Sequence, residues 1–192
     1  MTLASASPRR RELLASLGIT VSVVPSDYLE EPLAGITPTE LAMIHARGKA
    51  TGARLDRSSE SVVIGADTVV ALDGDALGKP RDAGESRAMI ARLSGREHFV
   101  HTAFSLRDAT SERSFDGIST TRVRFYRLDD AEIDRYVATG DGLDKAGAYG
   151  IQGRGATLVE RIDGDFYTVM GFPLGAFVRA LPALGWHLGA SA

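Results

Sequence analysis

The chain has 192 residues, 22 Lys and Arg against 25 Asp and Glu, a formal net charge of -3, 44% hydrophobic residues and no cysteine. That length suits one domain, residues 1–192, or two closely joined lobes of it, with a core that needs no staples. The charge balance excludes a global attraction to nucleic acid or an anionic membrane, and the missing thiols exclude disulfides, thiolate metal sites and a cysteine nucleophile.

Residues 2–5, "TLAS", predict a short strand feeding a helix over 7–17. Ser7 suits the N-cap, Pro8 the first helical position, Leu13, Leu14 and Leu17 an apolar stripe, and Gly18 the stop. Residues 21–24 predict a second strand and 25–36 a loop holding Glu30 and Glu31. Thr37, Pro38 and Glu40 form a capping box that opens a helix to about residue 55. Residues 61–74 predict a strand that turns at Asp73-Gly74, the favoured hairpin dipeptide, and returns through 75–80. With a two-residue turn, Leu72 faces Asp75 and Thr68 faces Lys79, which brings Lys79 within a residue of Asp67. A helix over 82–93, strands over 98–108 and 118–128, a helix over 129–138, a hairpin over 156–171 around Asp163-Gly164 and a last helix over 173–184 complete the chain. Helices and hairpins in both halves predict a mixed α/β fold with a cleft between two lobes. The N-terminus lacks a signal peptide's basic segment and apolar run, and no apolar run nears the ~18 residues that span a bilayer, so the chain reads as cytoplasmic.

Some residues resist a purely structural reading. Arg9, Arg10 and Arg11 crowd a helix start, where Asp or Glu is the norm. They are either a solvated basic surface or, with the free N–H groups of the helix and the hydroxyls of Ser5 and Ser7, a site for phosphate or carboxylate. Asp67 interrupts an apolar strand, "VVIGADTVV", either as a satisfied turn residue beside Gly65 or as a metal ligand or general base. Lys79 suits a salt bridge or a phosphate equally. Lys49 at the edge of an apolar helix face is an ordinary snorkelling position, and Glu30 and Glu31 are by default surface acids. The glycines, 21 in all, cluster at 140–155 and predict a tight backbone feature there. His98 and His101, three apart on a strand, face opposite sides. The patterns GxxxxGK[ST], GxGxxG and GxSxG are absent. Clustered cations with isolated acids and no covalent nucleophile suit metal-assisted attack of water on a phosphate ester.

The stretches "LASASPRRRELL", "GADTVVALDGDALGKPRD", "RLSGREHFVHTA", "LDKAGAYGIQGRGA" and "IDGDFYTVMGFPL", in order along nearly the whole chain, closely resemble the Maf family. These are nucleoside triphosphate pyrophosphatases, also called septum formation inhibitor Maf proteins. Family members usually have a few more residues before "LAS", so the first strand is expected to be clipped or the start codon to lie upstream. The resemblance implies a fold shared with inosine triphosphate pyrophosphatases, with a mixed twisted sheet and two lobes around a nucleotide cleft. It implies hydrolysis of a nucleoside triphosphate to monophosphate and pyrophosphate with a divalent cation, Mg2+ or Mn2+. Asp67 matches the family's proton acceptor; Ser7, Arg10, Lys49 and Lys79 match its phosphate-side residues; Glu30, or Glu31 beside it, matches a loop glutamate that would share the metal with Asp67. Whether Asp67 or the metal itself activates the water stays open.

Three positions separate a dTTP- and UTP-preferring subgroup, with Arg, Thr and Gln, from one that prefers 7-methyl-GTP, with Trp, Gln and Glu. This chain has Arg9, Thr68 and Gln152, which implies the pyrimidine type, dTTP, UTP or a modified pyrimidine nucleotide. A glutamine amide offers one donor and one acceptor to the O4 and N3–H of uracil or thymine; a glutamate offers only acceptors, which suits guanine. Homodimers are common in such folds. The competing reading is a nucleotide-binding regulator of cell division with incidental hydrolysis, and turnover separates the two.

Overall fold

The computed structural model describes residues 1–31, 33, 35–54, 62–111 and 113–189. Its framework is one mixed sheet with seven strands among the described residues. Strand β1 (Thr2–Leu3) lies between β2 (Ser22–Val23) and β3 (Val62–Leu72), parallel to both. From β3 the sheet continues antiparallel through β5 (Glu97–Asp108), β6 (Ser114–Phe125) and β7 (Val159–Asp163), and the short β4 (Asp75–Leu77) pairs back onto β3.

The central strand β3 is buried almost throughout, and its alternation builds the protein. Side chains at even positions face two apolar clusters. Ile64 and Ala66 join Leu3, Leu14, Phe104, Phe172 and Phe177 at one end, where α1 (Pro8–Ser16) and α6 (Leu174–Ala180) pack. Val70 and Leu72 join Ile90, Leu93, Val123, Phe125 and Tyr149 at the other, under α3 (Ala83–Leu93) and α4 (Asp130–Val137). Thr68 lies between the clusters. The odd positions Asp67 and Val69 face α2 (Pro38–Thr51), whose Ala42 and Ala46 pack on Val69 and Ala103.

Local chemistry explains most boundaries. The Thr37 side chain accepts from the Glu40 amide and the Glu40 side chain receives the Thr37 amide, which fixes the start of α2. Asp73-Gly74 makes the turn, and Leu72 pairs with Asp75 as expected. Helix α2 ends at Thr51; the expected continuation to residue 55 and the strand start at 61 reach outside the described residues. Ser7 occupies the N-cap position of α1, but its side chain makes no capping hydrogen bond.

Two expectations fail. Residues 156–171 are not a hairpin. A 3-10 turn (Gly153–Leu158) leads into β7, and Asp165 then caps a helix, α5 (Phe166–Met170), by accepting from the Thr168 amide at 2.8 Å. An apolar run of this length fits strand or helix, and the cap decides. Nor does the hairpin pair Thr68 with Lys79. The β3–β4 ladder stops at Val70–Leu77, and Thr68 pairs with Thr102 on the other side.

Candidate active site

A cleft of about 1070 Å³ opens beside the middle of β3, between the two apolar clusters. The nine residues that the resemblance assigns to the site, with Glu30 as the loop glutamate, all line it, whereas Arg11 and Glu31 do not. The β1–α1 turn supplies Ser7, Arg9 and Arg10; the loop before α2 supplies Glu30 and α2 supplies Lys49; β3 supplies Asp67 and Thr68; Lys79 follows β4; and Gln152 comes from the glycine-rich segment after α4.

Lys49 is the hub. Its ammonium lies 2.7 Å from Asp67 Oδ1 and 2.8 Å from Glu30 Oε1, and only 13% of its side chain is exposed. Asp67 is buried at 7% exposure, so this cation compensates an otherwise costly charge. The contact depends on Gly65: with no Cβ, β3 lies directly beneath the Ala46 carbonyl and Ala50 of α2. Burial opposes ionisation of Glu30, but the hydrogen bond and charge of Lys49 outweigh it and hold its pKa below the usual range. The sequence placed Lys49 at an unremarkable helix edge; the helix-to-strand approach gives it its partners.

Arg10 is buried too. Its Nε donates to the Gly171 carbonyl at 2.9 Å, Nη1 to Ser5 Oγ at 3.0 Å and Nη2 to Thr68 Oγ1 at 3.2 Å. Desolvation lowers its pKa, with Asp67 opposing. Three of its five N–H groups are thus spent on the protein, and two remain for a ligand. Arg11 is exposed. Lys79 is exposed and forms no ion pair among the described residues. Thr68 Oγ1 also meets Thr102 Oγ1 at 3.0 Å, and Thr102 donates to the Thr168 carbonyl at 2.8 Å.

The glycine cluster does form a tight feature. A Cβ on Gly142 or Gly155 would come within 1.9 Å of the Ala148 or Gly150 carbonyl oxygen, respectively. The folded segment presents Gln152 exposed, its amide without a hydrogen-bond partner among the described residues. Arg9 reaches the same segment: its Nη1 lies 3.6 Å from where a Gly150 Cβ would stand. His98 and His101 point away from each other, His98 to Tyr149 and His101 to Thr120. Sequence reasoning missed Tyr28 and His45, which also line the cleft. Desolvation and then the charges of Glu30 and Asp67 raise the Tyr28 pKa. No sequence motif marks either residue.

No group of three or more His, Cys, Asp or Glu side chains among the described residues could hold a metal alone. Glu30 and Asp67 nevertheless aim two hard oxygen donors at one cation position. That set suits a Mg2+ or Mn2+ ion that takes its other ligands from substrate phosphates and water. No helix among the described residues is long and apolar enough to cross a membrane.

The chain is 48% identical over 181 residues to the dTTP/UTP pyrophosphatase of Bacillus velezensis, covering 94% of each chain. It is 46% identical over 187 residues to that of Thermus thermophilus, covering 97% of this chain and 96% of the relative. A solved nucleoside-triphosphatase / dITP/XTP pyrophosphatase from Mycobacterium abscessus aligns with 95% of this chain and 96% of its own, with a TM-score of 0.43 and 17% identity. The Maf-like protein profile matches residues 1–184, and the chain belongs to the Maf-like protein family.

Proposed function

We propose that this protein is a nucleoside triphosphate pyrophosphatase that hydrolyses dTTP and UTP to the monophosphate and pyrophosphate. The full-length likeness to dTTP/UTP pyrophosphatases supports the activity. The observation that carries the site is the convergence of Lys49, Asp67 and Glu30 in a cleft that also holds Arg9, Arg10, Lys79 and Gln152.

Asp67 accepts a proton from the water that attacks the α-phosphorus. The bond from that phosphorus to the bridging oxygen breaks, and pyrophosphate leaves with the electron pair. Lys49, Lys79 and the two remaining N–H groups of Arg10 face the charge that builds on the leaving group, and Ser7 binds a phosphate oxygen. Glu30 and Asp67 would hold a divalent cation, which supplies Lewis-acid stabilisation of the phosphate charge. The Lys49 ammonium, beside both carboxylates, would also reach phosphate oxygens. At the other end of the cleft Gln152 donates to O4 and accepts from N3–H of the base, with Arg9 and Thr68 completing the pyrimidine preference. The two lobes belong to a single domain, with the nucleotide between them.

Asp67→Asn tests this. The amide keeps the shape and still accepts from Lys49, but it is no longer basic. Pyrophosphate release from UTP should fall by about 10²–10⁴-fold with an unchanged circular dichroism spectrum. Undiminished turnover would remove Asp67 as the proton acceptor, and wild-type protein that binds nucleotide without turning it over would favour a regulatory sensor.

A further inference from the structure

Glu30 lies in a stretch with no regular secondary structure, and its side chain is half exposed, yet its carboxylate meets Lys49 at 2.8 Å. A carboxylate on an unrestrained loop would lose conformational entropy each time it engaged a cation. Three preceding residues supply the restraint. Ser26 forms an antiparallel bridge with Ala53, just beyond α2. The Asp27 amide donates to the Gly52 carbonyl at 3.2 Å, and the Asp27 carboxylate pairs with Arg54. Ser26 Oγ accepts from the Tyr28 amide at 3.1 Å.

The Tyr28 side chain then folds back along α2. Its hydroxyl lies 2.9 Å from Nδ1 of the buried His45, and the two rings stand 5.7 Å apart at a 60° tilt. The phenol ring covers Gly48 so closely that a Cβ there would fall 2.3 Å from it. His45 and Lys49 are four residues apart on one helix face. Tyr28 therefore grips the same helical turn that presents Lys49, two residues before Glu30 reaches it.

We propose that Tyr28 is a positioning residue for Glu30: its ring, packed on Gly48, and its hydroxyl, bonded to His45, fix the loop so that the Glu30 carboxylate stands with Asp67 at one cation position. The proposal rests on reading Glu30 as a metal ligand. It gives Gly48 a role as well, since only a residue without a side chain leaves room for the ring.

Gly48→Ala is the sharpest test, because alanine favours the helix over glycine while its methyl group evicts the ring. The readout is the dissociation constant of Mn2+ alone for the full chain, by electron paramagnetic resonance, beside the melting temperature. Gly48→Ala should weaken Mn2+ binding about tenfold, the scale of an outer-shell support, and still melt near the wild type. Tyr28→Phe should weaken it less, in the same direction. In a Glu30→Gln background Gly48→Ala should add nothing. Unchanged Mn2+ affinity in Gly48→Ala, with Glu30→Gln weakened, overturns the positioning role and leaves the ligand reading intact. Equal losses from Gly48→Ala with and without Glu30 also overturn it. A Glu30→Gln variant that binds Mn2+ like the wild type overturns the ligand reading and the positioning role with it.

Discussion

Gly65→Ala isolates the helix-to-strand contact that places Lys49 on Asp67. A Cβ at residue 65 would stand 2.2 Å from the Ala46 carbonyl oxygen, 2.5 Å from the Ala50 amide nitrogen and 2.8 Å from the Ala50 Cβ. Two of these are backbone atoms, so no side-chain rotation relieves the clash. Restoring ordinary contact at 3.4 Å requires a retreat of about 1.2 Å by α2. That displacement is comparable to overpacking a close-packed core, which costs about 2 kcal/mol, or about 4–8 °C in melting temperature for a chain of this size. Lys49 moves with α2, and its 2.7 Å bond to Asp67 is drawn out. Misplacement by about 1 Å in a catalytic constellation costs on the order of 10²-fold in rate. Calorimetry and a pyrophosphate-release assay on UTP measure both effects. A variant that melts and turns over like the wild type would refute the claim that this close approach builds the site. One that is destabilised but fully active would refute the positional half of it.

Two further outcomes follow from other groups. His98 is 1% exposed, its ring bonds Tyr149, its buried Nδ1 has no partner among the described residues, and burial lowers its pKa from 6.5 to about 4. The unfolded chain therefore binds the proton more readily. The stability tied to neutral His98 is complete above pH 6.5 and is lost as pH falls toward 4, by about 3 kcal/mol across that window. Urea midpoints measured from pH 7 to 4 should show the decline and His98→Gln should flatten it; an equally steep decline in the variant would remove His98 as its source. On the proposed reading of Gln152, Gln152→Glu would remove the amide donor assigned to O4 of the base. Leaving that partner unmatched at about 2 kcal/mol lowers kcat/KM for UTP and dTTP about 30-fold, and an unchanged UTP profile would argue against base reading by residue 152.

What the sequence revealed was mostly local chemistry. The Thr37–Glu40 capping box, Pro8 at the start of α1 and the Asp73-Gly74 turn with its Leu72–Asp75 register are each set by neighbours along the chain. What it hid depends on distant partners. Asp163-Gly164 suggested a hairpin, but β7 finds its partner in β6, and Asp165 turns the following apolar run into a helix. Lys49 looked like a snorkelling surface residue because its acids, Glu30 and Asp67, arrive from a loop and a strand outside α2. Arg10 was expected as a phosphate ligand, yet its bonds to Ser5, Thr68 and Gly171 also tie β3 and the residue after α5 to the start of α1. The expected Thr68–Lys79 pairing failed because β4 ends at Leu77.

The most direct test of the account is where water's oxygen goes. Hydrolysis of UTP by the wild-type protein in water enriched in oxygen-18, with Mg2+ or Mn2+ present, should place the label in UMP and leave the pyrophosphate unlabelled, as attack at the α-phosphorus requires. Label in the pyrophosphate, or release of orthophosphate with UDP, would contradict it.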